Sequence, residues 1–350
     1  MIVVHFSIFV GRRKIRMAAK KRMYILSDGE LKRKQNTLCF ISNDGKRFIP
    51  VEGVSDFVVF GEVTLNKKLL EFLTKNKIIM HFFNHYGYYV GTYYPREYYN
   101  SGLILLKQVE FYLDSGKRLF LAKKFVLGAV QNMLKVVTYY VNRRVDDTLL
   151  RIKTEMENML SQIELCEGVS ELMGIEGMIR DVYYKAIDIV IDKEGFSFER
   201  RTRRPPENRL NALISFMNSL LYVEVLSAIY RTHLDPRIGY LHSTNMRRFT
   251  LNLDVSEVFK PILVDRTILS VLNKKIIKVS DFSEKLNGIY LKDKGREKVI
   301  EEWEDKLSSS FLHRKLKRNV SYRELIRLEL YKIEKHILGD QEYSPFVMRW

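Results

Sequence analysis

The sequence predicts an α+β protein: a small N-terminal β-rich domain followed by a larger all-α domain. Three observations predict it. Up to about residue 95, short apolar runs alternate and are broken by turn signals. From Leu103 on, apolar residues recur at helical spacing instead. The 350 residues suffice for about two domains with real cores. The change of period near residue 100 sets the expected organisation. Residues 1–22 read as a basic, disordered N-terminal extension, 23–100 as a β-rich domain, and 101–350 as an α-helical domain.

The extension places MIVVHFSIFV ahead of GRRKIRMAAKKR. Its charge follows the apolar run, the reverse of a signal peptide. Next, MYILS runs to Asp28-Gly29 and LCFIS to Asn43-Asp44-Gly45, two strands ending in turn residues. RFIPVEG and DFVVFGEV continue the pattern. LNKKLLEFLTKN carries Leu65, Leu69, Phe72 and Leu73 at helical spacing. IIMHFF and YGYYVGTYY close the β-rich part. His81 and His85 have no acidic neighbour in sequence and are expected to be structural. The tyrosines at 86–99 suit packing at an interface, or stacking on bases.

In the second part, LILLKQVEFYLD, KRLFLAKKFVLGAVQNMLKVVTYYVNRR and DDTLLRIKTEMENMLSQIEL read as amphipathic helices. Asp146-Asp147 suits the N-terminus of the third. In GVSELMGIEGMIRDVYYKAIDIVI, Leu172, Ile175, Ile179, Val182 and Ala186 form one stripe, with Glu176 beside it. Gly174 and Gly177 flank that glutamate, and a glycine inside a helix costs about 1 kcal/mol against alanine. Close packing of another helix would explain them, and so would close approach of a nucleic-acid backbone. Arg200, Arg201, Arg203 and Arg204 lead into Pro205-Pro206 and belong to an extended loop before a long helix. Four guanidiniums there can grip phosphates, or simply face water.

The stretch Leu234–Pro261 carries the densest chemistry. It holds His242 in a turn-like segment, the pair Arg247-Arg248, and then Asp254 and Glu257 at the start of an apolar run that Pro261 interrupts. On a helix the two carboxylates share a face, and each disfavours ionisation of the other unless a cation sits between them. A metal ion would serve, and so would a salt bridge to Arg247 or Arg248. Were the fold to add Glu176 and His242, the set would suit Mn²⁺ and would tolerate Mg²⁺. Further base lies at His313-Arg314-Lys315 and Lys317-Arg318.

Composition narrows the partner. The net charge is +17, of which residues 1–22 carry seven, leaving +10 for the rest. A polyanion is therefore the expected partner. Cys39 and Cys166 are too few for a disulfide scaffold or a cysteine zinc site, and fit a reducing cytoplasm. No apolar run reads as a membrane span of about 20 residues.

Six motifs in order then point to a family. They are YILSDGELKRKQNTL, MGIEG around Glu176, RRPPENRLNALISFMNSLLY, LDPRIGYLH ending at His242, LNLDVSEVFKPILVD, and LIRLELYKIEKHILGDQEYSPF. From about Met23 to Trp350 the chain resembles the CRISPR-associated adaptation endonuclease and integrase, the Cas-one family, in a type I-like form. Lys260 stands where that family often has Arg, and His233 where it often has Gly. The resemblance implies a homodimer formed largely through the β-domain, and a small ferredoxin-like partner, the Cas-two protein. It implies a divalent metal held by Glu176, His242 and Glu257, with Asp254 as a second acidic position. It implies transesterification: the 3′-hydroxyl of a captured DNA fragment attacks a phosphodiester at the edge of a CRISPR repeat, with His242 as ligand or as general acid. The substrates would be double-stranded and branched DNA. The alternatives are a broader metal-dependent nuclease and a non-catalytic DNA-binding scaffold.

Overall fold

The computed structural model describes residues 20–96, 99, 101–144, 146–198, 200–244, 249–285 and 288–349. The chain divides into two compact units, Met1–Tyr98 and Tyr99–Trp350.

The first unit is built from eight strands and one helix: β1 Lys21–Ile25, β2 Gly29–Lys34, β3 Thr37–Ser42, β4 Gly45–Pro50, β5 Val54–Val59, β6 Val63–Leu65, α1 Lys67–Lys75, β7 Ile79–Phe83 and β8 Tyr89–Tyr93. They form two four-stranded sheets, β1-β5-β7-β8 and β4-β3-β2-β6. The Asn43-Asp44 turn joins β3 to β4 with Ser42 opposite Gly45, whose φ of +122° favours glycine. Asn66 caps α1 by accepting from the Leu69 N–H at 3.0 Å. Leu69, Phe72 and Leu73 of that helix join Ile25, Leu31, Phe40 and Phe57 of both sheets in one core.

Lys21 and Arg22, read from the sequence as part of the extension, belong to β1. Arg22 is buried because its Nε donates to Asp56 Oδ2 at 2.7 Å. A second correction concerns His81. It lacks an acidic neighbour in sequence, but pairing of β5 with β7 brings its Nε2 to 4.0 Å from Asp56 Oδ2.

The second unit begins with α2 Gly102–Leu113, α3 Ser115–Val141, α4 Asp147–Leu165, α5 Val169–Ile191 and α6 Arg209–Ile229. Then follow α7 Thr250–Phe259, a π-helical turn over Lys260–Asp265, and α8 Arg266–Asn273. It ends with β9 Phe282–Lys285, β10 Gly288–Leu291, α9 Asp293–Ser308, β11 Ser310–His313, β12 Arg318–Ser321 and α10 Tyr322–Leu338. The helices carry two small antiparallel hairpins, β9–β10 and β11–β12, which helical spacing alone did not reveal. Pro261 widens the helix after α7 without ending it. Proline has no N–H to donate and crowds the turn before it, so the ladder shifts to a wider turn.

Helix α6 is 21 residues long and apolar enough to cross a membrane by length and composition, contrary to the reading of the sequence. Within its unit it is a core helix, with 78% of its most apolar window buried. Asn132, wholly buried on α3, staples the unit together. Its Nδ2 donates to the carbonyls of Val258 and Phe346 at 2.9 Å each, and its Oδ1 accepts from the Met348 N–H at 2.8 Å.

Candidate active site

The site is assembled where the loop 234–242 lies against the start of α7. Buried Gln108 of α2 grips the loop's entry: its Oε1 accepts from the Asp235 N–H at 2.7 Å, and its Nε2 donates to the Asp235 carbonyl at 3.2 Å. Thr250 holds the middle, accepting from the Gly239 N–H at 2.9 Å and donating to the Arg237 carbonyl at 2.7 Å. The approach is so close that a Cβ on Gly239 would stand 2.5 Å from the Thr250 carbonyl carbon and 2.8 Å from Asp254 Oδ2. Only glycine fits there.

Asp254 fixes the loop's end. It is wholly buried on α7. Its Oδ2 accepts from the backbone N–H of Tyr240 at 2.5 Å and of Leu241 at 3.0 Å. Its Oδ1 accepts from the His242 N–H at 3.0 Å and from His242 Nδ1 at 2.7 Å. A carboxylate offers about four acceptor positions, and all are used. Asp254 is therefore a positioning residue, with no lone pair left for a cation. The Nδ1 bond places that nitrogen's proton toward Asp254. Among the described residues nothing claims Nε2, and the side chain keeps 23% of its surface exposed. Burial disfavours the charged ring, but the bond to Asp254 and the charges of Asp254 and Glu257 outweigh it and raise the His242 pKa above its ordinary value.

Glu257, one turn further along α7, answers to different partners. Arg180 of α5 donates to its Oε2 at 2.5 Å, and Lys260 bonds its Oε1. Arg180 also bonds Glu176 one helical turn away, with its Nε 2.7 Å from Oε1. One guanidinium thus bridges the two glutamates, supplying the cation that the sequence reading required of a metal or of Arg247 and Arg248. Burial pushes the Glu257 carboxyl up, yet Arg180, Lys260 and His242 outweigh it and hold it at about 2. Burial pulls the Lys260 amine down from its ordinary value despite the Glu257 charge. Asp265, at the end of the π-helical turn, is pushed up to about 6 by burial, although Tyr183 donates its hydroxyl to Oδ2 at 3.0 Å.

Glu176, Glu257 and His242 thus lie within reach of one another's charges, with Asp254 behind the imidazole. Arg247 and Arg248 fall outside the described residues. In the arginine loop, Arg200, Arg203 and Arg204 are exposed. Arg201 turns inward instead, donating to Asn211 Oδ1 at 2.9 Å and Ser215 Oγ at 3.1 Å. Burial lowers its pKa, and the charges of Asp265 and Arg180 reach it, which sets the root of the loop beside the site. Gly174 and Gly177 have open space where a Cβ would stand, so helix packing does not explain them. Exposed Met173 and Met178 lie next to them, making a shallow, open face around Glu176.

Sequence reasoning missed Arg180, Lys260 as a glutamate partner, Tyr183 and Asp265. The i, i+4 spacing of Glu176 and Arg180 and the i, i+3 spacing of Glu257 and Lys260 were the available signals. For Asp265 there was none, because its burial depends on tertiary packing.

No three carboxylate, imidazole or thiol groups among the described residues stand together as a ready metal cage. The donor chemistry nevertheless fits a divalent ion: hard carboxylate oxygens, and an imidazole whose other nitrogen is held by a carboxylate. Glu257 would have to release Arg180 or Lys260 to take part.

Comparison with known proteins agrees with this arrangement. The family model for CRISPR associated protein Cas1 matches residues 23–305. A CRISPR-associated endonuclease Cas1 of Thermodesulfovibrio yellowstonii is 57% identical over 331 residues, covering 95% of this chain and all of that protein. A solved Cas1 protein from Thermotoga maritima superposes with a TM-score of 0.84 at 47% identity, covering 93% of this chain and all of the other. A casposase bound to integration product shares the fold, at TM-score 0.82 and 20% identity, with 93% of each chain covered. The chain belongs to the CRISPR-associated Cas1 family.

Proposed function

We propose that this protein is a metal-dependent DNA endonuclease and integrase of CRISPR adaptation, joining captured DNA fragments to the repeat array by transesterification. The observation that carries the proposal is the half-open cluster in which Glu176, Glu257 and the Asp254-anchored His242 share one field of charge. Glu176, His242 and Glu257 are the residues that would hold Mn²⁺ or Mg²⁺, which when bound supplies Lewis acidity to a hydroxyl and to a phosphate.

The chain's own residues do the rest. Asp254 locks the imidazole so that Nε2 alone can bind a ligand or pass a proton. Arg180 and Lys260 keep Glu257 ionised at neutral pH. Once a divalent ion draws on Glu257, the freed cation is placed to offset charge on the attacked phosphate. The open face at Gly174 and Gly177 admits a DNA backbone beside Glu176. Arg200, Arg203 and Arg204, braced by inward-turned Arg201, hold its phosphates. Double-stranded and branched DNA are the proposed substrates. A homodimer and a partner of the Cas-two family follow from family membership and are part of the same proposal.

The test uses a branched DNA with one labelled strand, Mn²⁺ or EDTA, and wild type beside His242→Ala. Metal-dependent resolution of the branch that the substitution removes is the expected result. Cleavage that is indifferent to EDTA and to His242 would refute the assignment.

A further inference from the structure

The basic hairpin β11–β12 lies outside the catalytic cluster. Its closing pair is His313 opposite Arg318, and the Lys317 N–H donates to the His313 carbonyl at 2.8 Å. Lys317 takes a φ of +51°, which tightens the tip. Arg318 is spent on Glu324 at 2.6 Å. Arg314, Lys315 and Lys317 are exposed, and among the described residues their side chains have no partner. From Lys306 through Arg323 the chain contains no Asp or Glu. The serines at 308–310 and Asn319 add neutral donors.

The base of the hairpin continues this character. The Lys306 ammonium lies 4.2 Å from the centre of the Tyr322 ring, and the Phe311 ring packs 5.2 Å from that tyrosine. Arg266 and Arg143 both lie over Tyr139, at 5.1 and 3.9 Å from its ring centre. Burial pulls the Lys306 amine down to about 8, and the charge acting on it is another cation, Arg266. Two strands of four residues, at about 3.4 Å per residue, make an arm of roughly 14 Å.

We propose that the β11–β12 hairpin and the cationic floor at its base, Lys306 with Arg266 and Arg143, grip the phosphodiester backbone of duplex DNA. The composition favours nucleic acid over protein. Lysine is depleted at protein interfaces, whereas Arg, Lys, Ser and Asn are the usual phosphate donors. The inference rests on the reading of the chain as a DNA-processing enzyme and adds a contact apart from the reacting centre.

Salt dependence of duplex binding tests it, with the full chain and a blunt duplex. Each lost phosphate contact should reduce the slope of log K against log salt by about 0.9. The triple variant Arg314→Gln, Lys315→Gln, Lys317→Gln should therefore lose about 2.7 of slope, with an unchanged unfolding midpoint because the tip is exposed. Lys306→Met should lose about 1. Unchanged slopes in both variants, while wild type binds duplex, would overturn the hairpin grip alone. A loss seen only with single strands would overturn it as well. Failure of wild type to bind duplex at all would bring down the DNA-processing reading itself.

Discussion

Each unit of this protein buries a carboxylate against a histidine and has an arginine close by, and the two arrangements serve different ends. In the β-rich unit Asp56 holds Arg22 at 2.7 Å and stands 4.0 Å from His81. The His81 side chain is wholly buried, and its Nδ1 is bonded to Thr92 Oγ1 at 2.8 Å. Both of its nitrogens face fixed partners. In the helical unit Asp254 holds His242 at 2.7 Å, and the neighbouring Glu257 holds Arg180 at 2.5 Å. There His242 keeps 23% of its side chain exposed and one nitrogen unclaimed among the described residues. The residue types are alike. A spent, sealed cluster stabilises a fold, whereas a cluster with an open face and unspent donors can act on a substrate.

The largest expected effect breaks the open cluster. Glu176→Ala removes a proposed metal donor and one of Arg180's two partners. Strand transfer should fall by about 10³-fold, while duplex binding survives. Full activity at saturating Mn²⁺ would remove Glu176 from the ligand set. The sealed cluster should respond in the opposite currency. Asp56→Asn strands a buried guanidinium and should cost about 3–5 kcal/mol in urea unfolding. Its activity per folded molecule at low temperature should match wild type, and a loss there would assign the β-rich cluster a chemical role.

Asp254→Asn sharpens the contrast. An amide oxygen can still accept from some of the loop's N–H groups, but the imidazole loses its charged anchor. Activity should drop roughly 10–100-fold, less than for a ligand. His242 is raised above its ordinary pKa in part by Asp254, so the substitution should also lower the pH at which the ring titrates, as measured by NMR. An unmoved titration would detach His242 from this anchor.

Much of this was legible in the sequence. Period-two runs ending at Asn43-Asp44-Gly45 marked a hairpin, and the stripe from Leu172 to Ala186 marked the buried face of α5. His242, Asp254 and Glu257 were visible as a constellation. Their division of labour was not. Asp254 and Glu257 look equivalent at i, i+3, yet close approach of the 240–242 backbone, which Gly239 permits, consumes one of them entirely. The two small hairpins were hidden as well, since four-residue strands carry too little alternation to register. The pairing of Asp56 with His81 spans two strands of a parallel sheet and has no local signature.

Asp265 provides the smallest effect and the finest test, because it is buried with a hydroxyl in place of a bonded cation. Its carboxyl is raised to about 6, against about 3.9 in an unfolded chain. A raised folded pKa means the protonated form is favoured in the native state. The contribution to stability is therefore fully present below about pH 4 and is lost as the pH rises through about 6. Above that, the native state carries a buried charge costing up to about 3 kcal/mol. Asp265→Asn keeps an oxygen for the Tyr183 hydroxyl and removes the charge. Urea unfolding of metal-free protein should show a gain of about 1–3 kcal/mol at pH 8 and little change at pH 4.5. A gain independent of pH, or a loss at pH 8, would show that the carboxylate is matched by Arg180 or Lys260 after all. The same Asp-to-Asn change would thus stabilise here and destabilise at Asp56, because what differs is the guanidinium bonded to the oxygen and not the depth of burial.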